Sequence, residues 1–287
     1  MSTPPIFFLH LPRTAGTTID AIFKQNLPAE SILKIYSQSE YQKYKKKKKD
    51  RLSDIKYITG HLLLDTVNPP TFYGEPVRAI TLLRDPIKRL ISEYIFLKTW
   101  KKQHLYSYLN DNAISFSQYI TSEEKILVYR GKNFMTRCIS GDSLEQTNNI
   151  NESLEKAKYN LSNNFWFFGL QERFMESIVY LSEKAELNNI LHDKHNALIL
   201  KKDEFEISQA DINLAQEYNA ADIALYNFAA TEFDKRIKQL GDSFNKKVKN
   251  FTFLNLKYQK ISNILYDSIQ SEEQSTTAIR MPKDIKW

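Results

Sequence analysis

Cysteine is almost absent from this chain: Cys138 is the single one in 287 residues. That excludes an intrachain disulfide framework and any cysteine-rich metal site. Long apolar runs are missing too, since no stretch approaches the roughly 20 residues that a helical membrane span needs. The opening MSTPPIFFLH has neither a basic leading segment nor a cleavage site and runs directly into strand-like sequence, so a cytoplasmic protein is expected. Acidic residues are outnumbered, 34 against 40 Lys and Arg, for a formal charge of +6. Such a balance favours nucleotides, polyanionic polymers or anionic surfaces as partners without choosing among them. His104, His192 and His195 are scattered and show no metal-ligand spacing. No internal repeat is present.

What the chain does have is 42% hydrophobic and 13% aromatic residues, enough to bury a sizeable core. PIFFLH (5–10) predicts a first strand, and Thr17 to about Gln25 a first helix. IKYITG (55–60) reads as a short strand ending at Gly60, with His61 directly after it. VRAITLL (77–83) is a β-branched apolar run, the pattern of a buried parallel strand. Arg84-Asp85-Pro86 then starts a helix, with Asp85 placed to cap it and Pro86 in its first turn. FWFFGL (165–170) predicts another buried strand within an otherwise helical second half, and 208–240 a long amphipathic helix. The alternation predicts a three-layer α/β fold with a central parallel sheet flanked by helices. Residues 1–240 are read as one domain and 241–287 as a helical or loosely ordered extension.

Between the first strand and helix stands Arg13-Thr14-Ala15-Gly16-Thr17-Thr18, with one cation, one glycine and three hydroxyls. A polar turn opening onto a helix N-terminus is a place to hold an anion. A nucleoside-triphosphate loop would close with Gly-Lys-Ser/Thr. Here Gly16 is followed by Thr17 and the turn holds no lysine, which disfavours a Mg-dependent kinase. In LLRDPIKRLISEYIFL (82–97), Arg84 leaves a strand and Ser92 lies two helical turns on, a pairing suited to clamp a second phosphate. Two anion sites, at 13–18 and 84–92, fit a nucleotide with phosphates on two ribose positions better than a linear triphosphate.

FFLHLPRTAGTT resembles the 5′-phosphosulfate loop of carbohydrate sulfotransferases, and RDPIKRLISEY resembles their 3′-phosphate motif. The similarity points to the heparan sulfate 2-O- and 6-O-sulfotransferase branch and continues through ITGHLLL (58–64), NFMTRCISGD (133–142), FWFFGLQERF (165–174) and NAADIALYNFA (219–229). It implies a P-loop-like α/β enzyme that uses PAPS (3′-phosphoadenosine 5′-phosphosulfate) without a metal. The implied acceptor is a saccharide or glycan, with no nucleic acid partner. The resemblance departs at Arg13, where the family usually carries lysine. Arginine keeps the positive charge but cannot donate a proton to a leaving phosphate as lysine can.

Sulfuryl transfer needs in-line placement, charge stabilisation on the leaving phosphate and a base for the acceptor hydroxyl. Arg13, Thr14, Ala15, Gly16, Thr17 and Thr18 are the expected 5′-phosphosulfate residues, and Arg84 and Ser92 the expected 3′-phosphate residues. Helix capping by the threonines is the competing role for the loop. His61 is the expected base, since an imidazole accepts a proton near neutrality and this one matches the histidine of the related enzymes' Gly-His segment. His10 is expected to be a core or supporting residue. Arg137 is read either as an acceptor or nucleotide contact or as a structural ion pair. Lys201 and Lys202 fall where relatives close a basic lid. Lys45 to Lys49 form a solvated run or a docking patch for an acidic substrate. A non-catalytic binder of acidic glycans is the rival function, and it leaves the paired anion sites and His61 without a role.

Overall fold

The computed structural model describes residues 3–35, 38–47, 54–60, 71–72, 75–142, 149–193 and 205–278. The chain runs β1 (Ile6–Leu9), α1 (Gly16–Asn26), β2 (Ile32–Lys34), α2 (Gln38–Lys47), β3 (Tyr57–Gly60), β4 (Thr71–Phe72), β5 (Glu75–Pro76), β6 (Arg78–Leu83) and α3 (Pro86–Thr99). There follow α4 (Tyr106–Asp111), α5 (Phe116–Thr121), α6 (Lys125–Gly131), α7 (Phe134–Ser140), α8 (Ile150–Asn163), β7 (Phe165–Leu170), α9 (Phe174–Ala185), α10 (Gln209–Tyr218) and α11 (Ala220–Ala278). Among the described residues a five-stranded sheet has the order β2-β3-β1-β6-β7, each neighbouring pair parallel. The four strands expected from the sequence are all in it. The short β2 is the addition, with too few residues to show a period.

β1 is buried on both faces, as the unbroken IFFL demands. Phe7 and Leu9 point into a core with side chains of α7, α8 and α11. Ile6 and Phe8 point the other way, onto Ile19, Ile22 and Phe23 of α1 and Ile178 and Leu181 of α9. Helices therefore cover both faces of the sheet and the fold is three-layered α/β, as expected. A separate cluster of Leu90, Tyr94, Leu97, Leu109, Tyr119 and Leu127 welds α3 to α4, α5 and α6 beside the sheet.

The helices of the second half are joined to one another through a reciprocal cap. Asn133, left-handed at φ 46, accepts from the backbone N–H groups of Ala221 and Asp222 (both 3.1 Å), opening α11. Asp222, fully buried, accepts in turn from the N–H groups of Met135 (3.1 Å) and Thr136 (2.7 Å), opening α7. Asn219 accepts from the N–H of Asn133 (2.8 Å) and donates to the carbonyl of Gly131 (3.1 Å). That role explains why the amphipathic stretch 208–240 is two helices: Asn219 takes a non-helical conformation (φ −123, ψ 29) between α10 and α11. Gly241 kinks α11 at φ 72 and ψ −169, a conformation essentially open only to glycine. Beyond the kink the helix still packs onto the fold, with Phe244 buried and Asn255 accepting from the N–H of His192 at 2.9 Å.

Two buried N–H groups lose a charged acceptor in Asp222→Ala, a loss of about 2 kcal/mol. The thermal midpoint is expected to fall by roughly 4–8 °C for a chain of this size. Asp222→Asn, which keeps one acceptor oxygen, should fall less; equal midpoints for all three proteins in calorimetry would remove the cap from this account.

Candidate functional site

The chain leaves β1 for β2 and β3 on one side of it, then crosses to β6 and β7 on the other. The carboxyl ends of β1 and β6 thus flank the point where strand order reverses, which is where open parallel sheets hold ligands. The buried hydroxyl of Thr81 donates to the carbonyl of Leu9 (3.0 Å) and ties these two ends together. The turn 13–18 follows one strand and Arg84 follows the other, so the fold brings both sequence motifs to this edge.

The turn after β1 holds two side-chain-bearing residues in left-handed backbone, Arg13 at φ 69 and Ala15 at φ 67. Each such residue costs roughly 1–2 kcal/mol. Three hydrogen bonds hold them there. The Thr14 hydroxyl donates to the carbonyl of Leu11 (2.7 Å), Arg84 Nη1 donates to the carbonyl of Arg13 (2.9 Å), and Arg13 Nε donates to Ser92 Oγ (3.0 Å). Ala15 is the N-cap of α1, and no side chain accepts from the first N–H groups of that helix. Thr17 is exposed beside them, while Thr14 and Thr18 are buried. Capping by the threonines is thus absent among the described residues, and a left-handed residue entering a helix leaves a concave set of N–H donors suited to an anion.

Gly16 is required here by a close approach. The imidazole of His10 stacks on Phe8 (centroids 5.2 Å apart) and lies against Gly16, where a Cβ would sit 1.9 Å from Nε2. His10 is thus a supporting residue beneath the turn.

Arg13 is half-buried, its guanidinium 4.7 Å over the ring of Phe96. Ser92 and Phe96 are one helical turn apart on α3 and both touch Arg13. Burial pushes the Arg13 guanidinium below its ordinary value, opposed by the Glu93 carboxylate. Burial lowers Arg84 likewise, with Glu172 and Asp85 opposing and the neighbouring cations Arg13 and Arg89 reinforcing. The nearby acids are engaged elsewhere. Glu93 pairs with Arg130, and Glu172 accepts from the N–H of Asp85 (3.1 Å) and the hydroxyl of Tyr226 (2.8 Å). Two partly buried guanidinium groups therefore lie side by side at this edge, and neither is in an ion pair among the described residues. Asp85 caps α3 as expected, accepting from the N–H of Lys88 at 2.8 Å.

Arg137 is turned away from this edge into the protein, 4% exposed. It donates to the carbonyls of Tyr129 (2.6 Å), Lys132 (2.9 Å) and Val128 (3.3 Å), closing the C-terminal end of α6. Behind the turn a cavity of about 30 Å³ is lined by His10, Tyr129, Arg130 and Cys138, among others. Burial pushes the Cys138 thiol up to about 12, so it stays protonated and inert. His61 lies outside the described residues, as do Lys48 and Lys49 of the lysine run and Lys201 and Lys202; Lys43 and Lys46 stand exposed on α2. Gly60, immediately before His61, pairs with Leu9 at the carboxyl end of β1.

Sequence reading missed Phe96, Glu93 and Glu172 in this site. The spacing of four from Ser92 signals Phe96. Nothing local signals Glu172, which arrives from the end of β7.

No protein-family model matches the chain, and no curated protein matches it. Among solved structures it is similar to that of mouse sulfotransferase SULT7A1 complexed with PAP, at 10% identity and a TM-score of 0.34. That match covers 77% of this chain and 66% of the mouse chain, so the chain spans just under two thirds of its length.

Gly16→Ala forces the His10 ring out of place, and a clash in a packed site costs about 1–3 kcal/mol. Removing the ring as well should recover part of that loss. Denaturant unfolding of wild type, Gly16→Ala, His10→Ala and the double variant measures the coupling; strictly additive losses would mean that the ring is not what excludes a side chain at Gly16.

Proposed function

We propose that this chain is a PAPS-dependent O-sulfotransferase that transfers a sulfuryl group to a saccharide hydroxyl. The observation that supports it best is the interlocking of two cationic turns at the strand-order reversal: Arg13 bonds Ser92 of the second motif, and Arg84 bonds the carbonyl of Arg13 in the first. A nucleotide with a 5′-phosphosulfate and a 3′-phosphate calls for two adjacent protein-borne cationic subsites. A triphosphate calls for a metal and a lysine inside the turn, and this turn has none. The sequence resemblance names the saccharide branch, and the excess of basic residues suits an anionic donor.

In this reading the N–H groups opening α1, the Thr17 hydroxyl and Arg13 hold the 5′ end. Arg84 and Ser92 hold the 3′-phosphate. Ser92 accepts from Arg13 and so keeps its own proton to donate to a phosphate oxygen. The donor supplies an activated sulfuryl group whose leaving group is a phosphate. As the acceptor oxygen bonds to sulfur, the sulfur–oxygen bond to phosphate breaks and negative charge collects beside Arg13. Arg13 stabilises that charge by its fixed fork and not by proton transfer, because guanidinium does not give up its proton. His61 takes the proton of the acceptor hydroxyl.

PAP, the 3′,5′-bisphosphate product, should stabilise the protein without added metal. At a hundredfold excess over Kd the gain is about 2.7 kcal/mol, or roughly 5–10 °C in a thermal-shift assay. Stabilisation by ATP-Mg with no response to PAP would sink this reading. His61→Ala should lower turnover by about 10²–10⁴-fold, the usual worth of a positioned base. PAP affinity should be unchanged in that variant, and the rising limb of the pH–rate profile set by the imidazole should vanish. Near-normal turnover in the folded variant would take His61 out of the mechanism.

A further inference from the structure

Beyond Gly241 the last helix serves two surfaces. Phe244, Phe251, Asn255 and Ser262 are buried or half-buried along one side. Asn255 holds the N–H of His192, and Ser262 donates to Asp193 at 2.8 Å. At about 100° of arc per residue, Phe253, Leu254, Ile261, Ile264 and Leu265 fall on the opposite side, within about 120° of one another. Each is 57–59% exposed. Large exposed apolar side chains are otherwise few and scattered among the described residues, at Trp100, Ile126, Tyr159 and Leu256. Singly exposed apolar residues are ordinary, whereas a contiguous stripe of them marks an interaction surface.

The charge on this segment is of one sign. Between Asp242 and Asp267 there are five lysines (Lys246, Lys247, Lys249, Lys257 and Lys260) and no acidic residue. Lys247 reaches Glu183 of α9 at 2.5 Å, and Lys257 lies 4.4 Å over the ring of Phe253 inside the stripe. By the same helical spacing Lys249 and Lys260 border one flank of it, and Lys246 falls within its arc, nearer Gly241.

We infer that this face of α11 docks the protein on an anionic lipid surface. Apolar side chains along one helix enter the headgroup–acyl boundary, and lysines at their flank extend their stems to reach lipid phosphates. A second copy of the chain is disfavoured because pairing two such stripes sets lysines against lysines. An acidic polymer would use the lysines and leave the apolar stripe without a partner. No helix of the described residues is long and apolar enough to cross a membrane, so the association is peripheral. It is independent of the proposed nucleotide chemistry at the carboxyl edge of the sheet.

Cosedimentation of the full chain with vesicles tests it, comparing pure phosphatidylcholine with phosphatidylcholine containing about 30% phosphatidylglycerol. Binding is expected to the anionic vesicles, to weaken with added salt, and to be at least tenfold weaker on neutral ones. Ile261→Glu combined with Ile264→Glu should abolish it, and Lys257→Gln with Lys260→Gln should weaken it by roughly fivefold per lysine removed. Both pairs are exposed, so an unfolding midpoint equal to wild type is expected for each. The inference is overturned by failure of wild type to bind anionic vesicles at low salt, or by binding that survives the Glu pair. A stable dimer in light scattering that the Glu pair dissociates, without vesicle binding, also overturns it in favour of self-association.

Discussion

The hydrogen bond from Arg84 to the carbonyl of Arg13 is the contact on which the rest of the site depends. It crosses from the turn after β6 to the turn after β1, and the Arg13 side chain answers in the other direction through Ser92. The turn after β1 carries the strain. Left-handed backbone at Arg13 and Ala15 is unfavourable for residues bearing a Cβ, and within the turn the Thr14 hydroxyl and the N–H of Thr18, which donates to the carbonyl of Ala15 at 3.1 Å, oppose its relaxation. Held from α3, the turn keeps its N–H groups aimed outward at the start of α1.

That lock has an electrostatic consequence. Moving guanidinium groups out of water is costly unless charge or hydrogen bonds replace the lost solvation. For Arg130 burial would lower the guanidinium, but Glu93 faces it directly and the balance holds its proton more tightly than usual. For Arg13 and Arg84 it is partial: a hydroxyl, a carbonyl, an aromatic face and carboxylates already engaged by other donors. Burial lowers both. An anion at this edge would supply the missing counter-charge to both cations at once.

The helical half is tied together by caps of its own. Asn133, Asn219 and Asp222 close the N-terminal ends of α7 and α11 on one another, and Arg137 closes the C-terminal end of α6. Segments 133–142 and 219–229 are thus a single structural device despite their separation in the chain. α11 continues from this buried cap to an exposed, basic and apolar face, so one helix links the core of the fold to its outer surface.

Sheet strands β1, β6 and β7 were legible in the sequence because burial on both faces favours near-continuous apolar runs, and β3 as a short stretch ending at Gly60. The turn 13–18 and the Asp85-Pro86 helix start were legible for a similar reason: capping and anion-binding chemistry is local to a few residues. Strand order, and with it the meeting of Arg13 and Arg84 at the reversal point, was decided by tertiary structure, since parallel pairing joins residues about seventy positions apart. So was the part played by Arg137. Its sequence context allows a ligand contact or a structural ion pair, and the packing of α6 against α7 instead commits its donors to three backbone carbonyls. Glu172 and Asp222 belong to the same class: a carboxylate's partners are chosen by the fold, because charge acts through space and leaves no period along the chain.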